Sequence, residues 1–370
     1  MMFILRLTPH LLITCTSVIL AAATIGQRYL PTSDIAFIAN RGIDDQIYIL
    51  DSERQLEHRL SSFPVLECCL AWSPDGQRLA FVSKPIGAGN ANIYVLDFAN
   101  SQLLQLTTSS RGDWMPNWSP DGQHIAFISY RDGNAELYTM TANGDEQTRI
   151  STSAFSEIAP QWSPDGDAIT TAALMNDAPN SYLGISAGLF NTSCSTECKT
   201  GLQPLLDPAL LLTPTESFRT LPNQGLVVAA YSGARAGGYS FYALRRNSNQ
   251  PPERLVYNAD LDPPSITSAD HMVAFISGER DATRLVRLRY VYVLDGSCLE
   301  TEESCIPYLK LIAENVGADN GLSLSTDGQW VVFTAVWSGS VELYRAHTDG
   351  SSTERLTWNN TVEMQPAWRP

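Results

Sequence analysis

WSPDGQHIAFISYRDGNAELYTM, residues 118–140, carries the reading of the whole chain. Trp-Ser-Pro-Asp-Gly is a turn sequence. Proline presets φ, aspartate bonds its own backbone, and glycine accepts a positive φ. IAFIS and ELYTM on either side of Arg-Asp-Gly-Asn alternate as two antiparallel strands would. The same unit begins at Trp72 (WSPDGQRLAFVS) and Trp162 (WSPDGDAITTAA), at intervals of 46 and 44 residues. A period of this length is the mark of a repeat architecture built from one supersecondary unit.

Fainter copies complete the series. LSTDGQWVVF from Leu324 keeps the frame, Ile266 to Val273 fits it without an insertion, and LPNQGLVVAA at 221–230 is a shortened form. Three further columns each contain seven members. The strand after the turn begins at Ile35, Leu79, Ile125, Ile169, Leu226, Val273 and Val331. A tyrosine follows in the next strand, at Tyr48, Tyr94, Tyr138, Tyr182, Tyr242, Tyr292 and Tyr344. A short fourth strand recurs as HRLSS, LQLTT, TRIST, LLLTP, ERLVY, LKLIA and ERLTW. The expectation is an all-β, seven-bladed β-propeller of four-stranded antiparallel blades over residues 33–370. PAWRP at 366–370 reads as the first strand of a blade, and Asp34-Ile-Ala-Phe as a second strand lacking its first. Pairing the C-terminal strand with the N-terminal strands would close the ring and remove its open edges.

On these residues, WSPDG followed by IAFxSxRDGNxELYxM resembles the WD-like repeats of TolB-like β-propellers, which also occur in the propellers of prolyl-oligopeptidase-like peptidases. The resemblance spans roughly residues 34–370 and is strongest in three blades. It implies a propeller and, for TolB-like proteins, protein binding at the cell envelope. Seven blades depart from the six of TolB, and no separate N-terminal α/β domain is visible, so TolB's own partners are not carried over.

Residues 1–32 differ from the rest. Arg6 precedes an almost wholly apolar run, Leu11–Gly26, and Ala21-Ala22-Ala23 offers a small-residue cleavage site. The run of sixteen reaches about 24 Å, short of a roughly 30 Å hydrocarbon core, unless it is counted back to Phe3. A signal peptide or an N-terminal membrane anchor is expected, and with it an extracytoplasmic location: periplasmic, secreted or anchored, with membrane contact only through this segment. Besides Cys15, six cysteines suit disulfides in an exported chain. Cys298 and Cys305 bracket a polar hairpin tip and form the best pair, and Cys194 and Cys198 the second. Adjacent Cys68 and Cys69 would form a vicinal bridge or stay as buried thiols.

A net charge of −15 excludes a nucleic-acid binder, which needs a basic surface. Gly184-Ile-Ser186-Ala-Gly188 matches the nucleophile elbow of α/β-hydrolases, but that motif needs a strand-to-helix turn that a blade does not supply. His58, His124, His271 and His347 are scattered, and no metal-binding motif appears. Asn258, Asp260 and Asp262 have the spacing of a calcium loop, with Pro263 where glycine is required. Ser325-Thr-Asp-Gly328 is already explained as a blade turn.

An acid stands five residues before the tryptophan position in five blades: Glu67, Asp113, Glu157, Asp319 and Glu363. Glu216 and Asp262 fall nearby in the other two. Sevenfold repetition would set these carboxylates in a ring at the channel mouth, where they would cap their own loop amides or hold a cation such as Ca2+ or a basic peptide. The functional expectation is a non-catalytic scaffold that binds a protein or peptide and needs no cofactor. The alternative is a carbohydrate- or peptide-processing hydrolase or lyase that uses channel residues.

Overall fold

The computed structural model describes residues 34–42, 44–61, 69–85, 89–151, 156–175, 186–193, 203–204, 217–221, 226–232, 238–245, 251–257, 265–280, 287–316 and 321–370. Cys194, Cys198, Glu67, Asp319, Glu216 and the 258–263 segment lie outside them.

The strands assemble into seven four-stranded antiparallel sheets. Sheet II (Ala71–Trp72, Arg78–Ser83, Asn92–Asp97, Gln102–Gln105) and sheet III (Asp113–Trp118, His124–Ser129, Glu136–Thr141, Thr148–Arg149) are meanders in chain order. Sheet IV (Ser156–Trp162 to Gln203–Pro204), sheet V (Ser217–Thr220 to Glu253–Tyr257), sheet VI (Ile266–Ala269 to Leu309–Ala313) and sheet VII (Leu322–Leu324 to Thr353–Arg355) repeat the plan. Sheet I takes its first strand from the other end of the chain: Glu363–Trp368 pairs with Asp34–Asn40, with Trp368 opposite Ile35.

First strands touch in succession from sheet II to sheet VII, then sheet I, then sheet II again. The apolar clusters follow the same order, one at each seam between neighbouring sheets. At one seam Ile38 and Ile49 of sheet I meet Leu79 and Phe81 of sheet II. At another, Phe37 and Leu50 of sheet I meet Val332 and Leu343 of sheet VII. Alternating strands supply both faces of each sheet, so every sheet is buried on two sides. Five sheets carry a Phe–Tyr pair on facing registers, including Phe81–Tyr94 and Phe127–Tyr138.

The Ser-Pro-Asp-Gly turn is held as its residues dictate. In sheet III Ser119 Oγ donates to Asp121 Oδ1, which accepts the Gln123 amide at 3.0 Å, and Gly122 sits at φ 68°. These bonds, the serine hydroxyl first, hold Asp121 below the usual carboxylate range. The tryptophans reach across the seams: Trp118 Nε1 donates to Ala71 O at 3.0 Å, and Trp72 Nε1 to Ala367 O at 3.0 Å. Three residues before the tryptophan position the backbone turns left-handed, at Cys69 (φ 78°), Met115 (54°), Ala159 (51°), Gly321 (110°) and Gln365 (51°). This bulges the first strand and costs each non-glycine residue on the order of 1–2 kcal/mol.

Three alignments by sequence are corrected by register. Val273 lies opposite Ser268, whereas Leu79 lies opposite Trp72, so the tight hairpin of sheet VI puts Ser268, not Ile266, at the tryptophan position. In sheet IV, Phe190 lies opposite Thr171, as Tyr94 lies opposite Phe81, so Phe190 rather than Tyr182 fills the tyrosine column. The fourth strand of that sheet is Gln203–Pro204, ahead of the LLLTP segment. Residues 186–193 are thus the third strand of this sheet.

Candidate functional site

Antiparallel order gives the assembly two ends. Turns between first and second strands lie at one end. Loops between second and third strands, and links from each fourth strand to the next first strand, lie at the other. The described members of the acid column, Asp113, Glu157 and Glu363, lie at the start of first strands at this second end, and their side chains do not face solvent. All three are fully buried.

Each is satisfied from within the packing. Arg131 Nη2 lies 3.4 Å from Asp113, and its guanidinium stacks 4.7 Å from the Tyr138 ring. Arg41, seven residues before Tyr48 as Arg131 is before Tyr138, lies 3.0 Å from Glu363 and 4.1 Å from the Tyr48 ring. On the preceding sheet a second buried acid faces the column: Glu136 beside Glu157, and Glu342 beside Glu363. Between each pair stands one hydroxyl. Thr357 Oγ1 lies 2.8 Å from Glu342 and 2.5 Å from Glu363, and accepts the Leu343 amide at 2.9 Å. Ser151 Oγ repeats this with Glu136, Glu157 and the Leu137 amide. A hydroxyl has one hydrogen to give, so it can donate to only one carboxylate of each pair. Burial first, then the nearby Glu342 and Glu57, pushes Glu363 up to about 7 against the bonds from Thr357 and Asn359. The sequence did not reveal Glu136, Glu342, Ser151 or Thr357 as members of this network; their recurrence two residues before Tyr138 and Tyr344, and beside the fourth strand, was the available signal.

The same end exposes large apolar side chains. Trp358 is 57% exposed and Trp337 43%, with Tyr130 and Val362 also open. Trp337 and Tyr130 stand on second-to-third-strand loops, Trp358 and Val362 on the link into Glu363–Trp368. The Arg355 guanidinium lies 5.7 Å from the Trp358 ring. At the opposite end, five first strands enclose a cavity of about 390 Å³ lined by Trp72, Trp118, Trp368 and their neighbours.

Cys298 and Cys305 form a disulfide. Arg245 of sheet V donates to Thr301 O at 2.6 Å, and Glu253 accepts the Cys305 amide at 2.8 Å, so the loop is fastened to the neighbouring sheet. Cys69 is disulfide-bonded as well. Ser186 begins a strand, not a strand-to-helix turn. His271 and His347 each pair with a nearby aspartate, at 2.6 and 2.7 Å. Among the described residues no three His, Cys, Asp or Glu side chains gather as metal ligands, and no helix is long and apolar enough to cross a membrane.

Residues 24–192 match the TolB beta propeller domain family. The matched stretch is a little under half of the chain. The fold of the chain is similar to TolB from Acinetobacter baumannii, at 16% identity and TM-score 0.55, covering 91% of this chain and 67% of that one. An oligogalacturonate lyase in complex with manganese has 14% identity and TM-score 0.57, covering 88% and 86%. A prolyl endopeptidase has 14% identity and TM-score 0.56; the match covers 93% of this chain and 52% of that enzyme. At such identities the likeness is one of fold. No curated protein matches the chain.

Proposed function

We propose that the seven sheets form one closed propeller, exported from the cytoplasm behind residues 1–32, which binds a protein or peptide without catalysing a reaction. The observation that carries this reading is the set of exposed aromatic side chains, Tyr130, Trp337 and Trp358, on loops of a single face. Exposed tryptophan and tyrosine beside arginine are the side chains that anchor protein interfaces. We assign the acid column to the seams instead of the ligand: a cation or basic peptide would have to displace Arg131 from Asp113 and Arg41 from Glu363. Calcium therefore has no part in this reading.

The test is retention of envelope proteins by the full chain, with and without EDTA, against a Trp337→Ala/Trp358→Ala variant. The reading expects EDTA-independent retention that the variant loses. Equal retention by the variant, or loss with EDTA, contradicts it. A hydrolase or lyase acting from the channel is the second reading, supported by the fold it shares with oligogalacturonate lyase and prolyl endopeptidase. Turnover of oligogalacturonate or a prolyl peptide by the purified chain would replace the scaffold.

A further inference from the structure

One register position of the first strands stands at the rim of the channel in every sheet. It is Ala367 opposite Ala36, Ala71 opposite Ala80 and Asn117 opposite Ala126. It continues as Gln161 opposite Thr170, Arg219 opposite Val227, Thr267 opposite Ala274 and Ser323 opposite Val332. All but Gln161 and Arg219 border the 390 Å³ cavity directly. Polar members turn toward the next sheet around the ring: Asn117 Oδ1 accepts the Trp162 amide at 3.0 Å, and Ser323 Oγ the Trp368 amide at 3.0 Å. Gln161 follows the rule with a different partner. Its amide oxygen, turned to the guanidinium, accepts from Arg219 Nε at 3.1 Å and Nη1 at 2.6 Å.

Arg219 is the one charged side chain of this column. Its other bond is from Nη1 to its neighbour's carbonyl, Phe218 O, at 2.7 Å. Among the described residues no carboxylate comes within ion-pair distance, although the chain has 39 acidic and 24 basic residues. The seam guanidiniums of Arg41, Arg131, Arg149 and Arg355 each have a carboxylate, and Arg78, which meets the carbonyls of Gly122 and Ala142, lies 4.6 Å from the Trp118 ring. Withdrawing a cation from water without a counter-charge costs several kcal/mol, which two carbonyl dipoles offset only in part. Burial draws the guanidinium down to about 10, so it remains charged at neutral pH. The group that would balance it has one negative charge and a planar fork to match, which describes a carboxylate better than a phosphate dianion.

We propose that the channel is a binding site for a carboxylate-bearing ligand, with the carboxylate on the free edge of the Arg219 fork and the Gln161 amide nitrogen as the adjacent donor. The cavity has room for a chain end or one sugar ring, and its tryptophans supply the apolar wall. The site lies at the end opposite the exposed aromatic loops, so it stands or falls independently of the scaffold reading.

Trp72, Trp118 and Trp368 line the cavity and report occupancy by fluorescence. The full chain is titrated with N-acetyl-diglycine, with its C-terminal amide and with glucuronate. Saturable binding of an acid and not of the amide is expected; whichever acid binds more tightly identifies a peptide terminus or an acidic sugar as the source. Arg219→Gln is expected to weaken binding about tenfold or more, with Arg219→Lys between the two. Equal affinity in a folded Arg219→Gln, equal affinity for the amide, or no binding of either acid at millimolar concentration overturns the proposal. If Arg219→Gln does not fold, Gln161→Leu decides: it keeps the charge and must weaken acid binding about threefold, and an unchanged affinity refutes the site.

Discussion

Two matched substitutions separate a ring joined through its ends from one that is not. Trp118 and Trp72 make the same contact, an indole donating at 3.0 Å to the carbonyl of the preceding first strand, but Trp118 reaches Ala71 within the sequential repeats and Trp72 reaches Ala367 at the far end of the chain. Replacing either with phenylalanine removes that bond. Ala71 and Ala367 are only partly buried, so channel water can reach the abandoned carbonyl and the loss sits near the lower limit, about 1 kcal/mol. The smaller ring gives up buried surface worth a further 1–2 kcal/mol or so. Each variant is therefore expected to lose about 2–3 kcal/mol by urea denaturation, with tryptophan fluorescence and circular dichroism as concurrent probes. The two losses should agree to within about 0.5 kcal/mol. A Trp118→Phe that destabilises while Trp72→Phe does not would refute the reasoning, because the Trp72–Ala367 contact would then be missing in solution.

Ser151→Ala leaves Glu136 and Glu157 facing each other without the bridging hydroxyl and orphans the Leu137 amide, so a loss of about 2–4 kcal/mol is expected in the same assay. The buried carboxyls give stability a definite pH slope. Glu363 is raised to about 7 by burial, among Arg41, Thr357, Asn359, Glu342 and Glu57, and Asp34 to about 7 by burial against the pull of Arg369, with Asp51 and Arg54 nearby. The folded chain holds protons that unfolded carboxyls have released, so this contribution is complete below the ordinary carboxylate range and is lost as pH rises through about 7. The melting temperature should be higher at pH 6 than at pH 8, and Glu363→Gln should flatten the difference; an unchanged slope in the variant would show that Glu363 does not titrate there. Converting Cys298 and Cys305 together to serine should cost about 2–3 kcal/mol by the loop-closure relation for so short a loop. Arg245 and Glu253 should keep the tip docked, seen as retained amide protection at Cys305.

The repeat was legible because its turn is chemically specific. Ser119, Asp121 and Gly122 have no substitutes of equal geometry, and their spacing marks each sheet where they survive. Where they do not, other residues satisfy the same pairing. Sheet VI closes with a tighter hairpin that moves Ser268 into the tryptophan position, and in sheet IV register puts Phe190 at the tyrosine position. The acid column was visible as spacing, but sequence could not show its burial, which depends on Arg41 and Arg131 folding back over the Phe–Tyr pairs. Arg219 carries no local signature at all. Only register sets it beside Asn117, Gln161 and Ser323, residues of three different sheets.

Amide hydrogen exchange across residues 34–40 bears most directly on ring closure. Held between Asp45–Asp51 on one side and Glu363–Trp368 on the other, this strand is interior to its sheet. Its amides should exchange as slowly as those of the equally interior His124–Ser129, and deletion of residues 363–370 should release the half that face the lost strand. Edge-like exchange of residues 35–39 in the intact chain, unchanged by the deletion, would mean that the two ends do not meet.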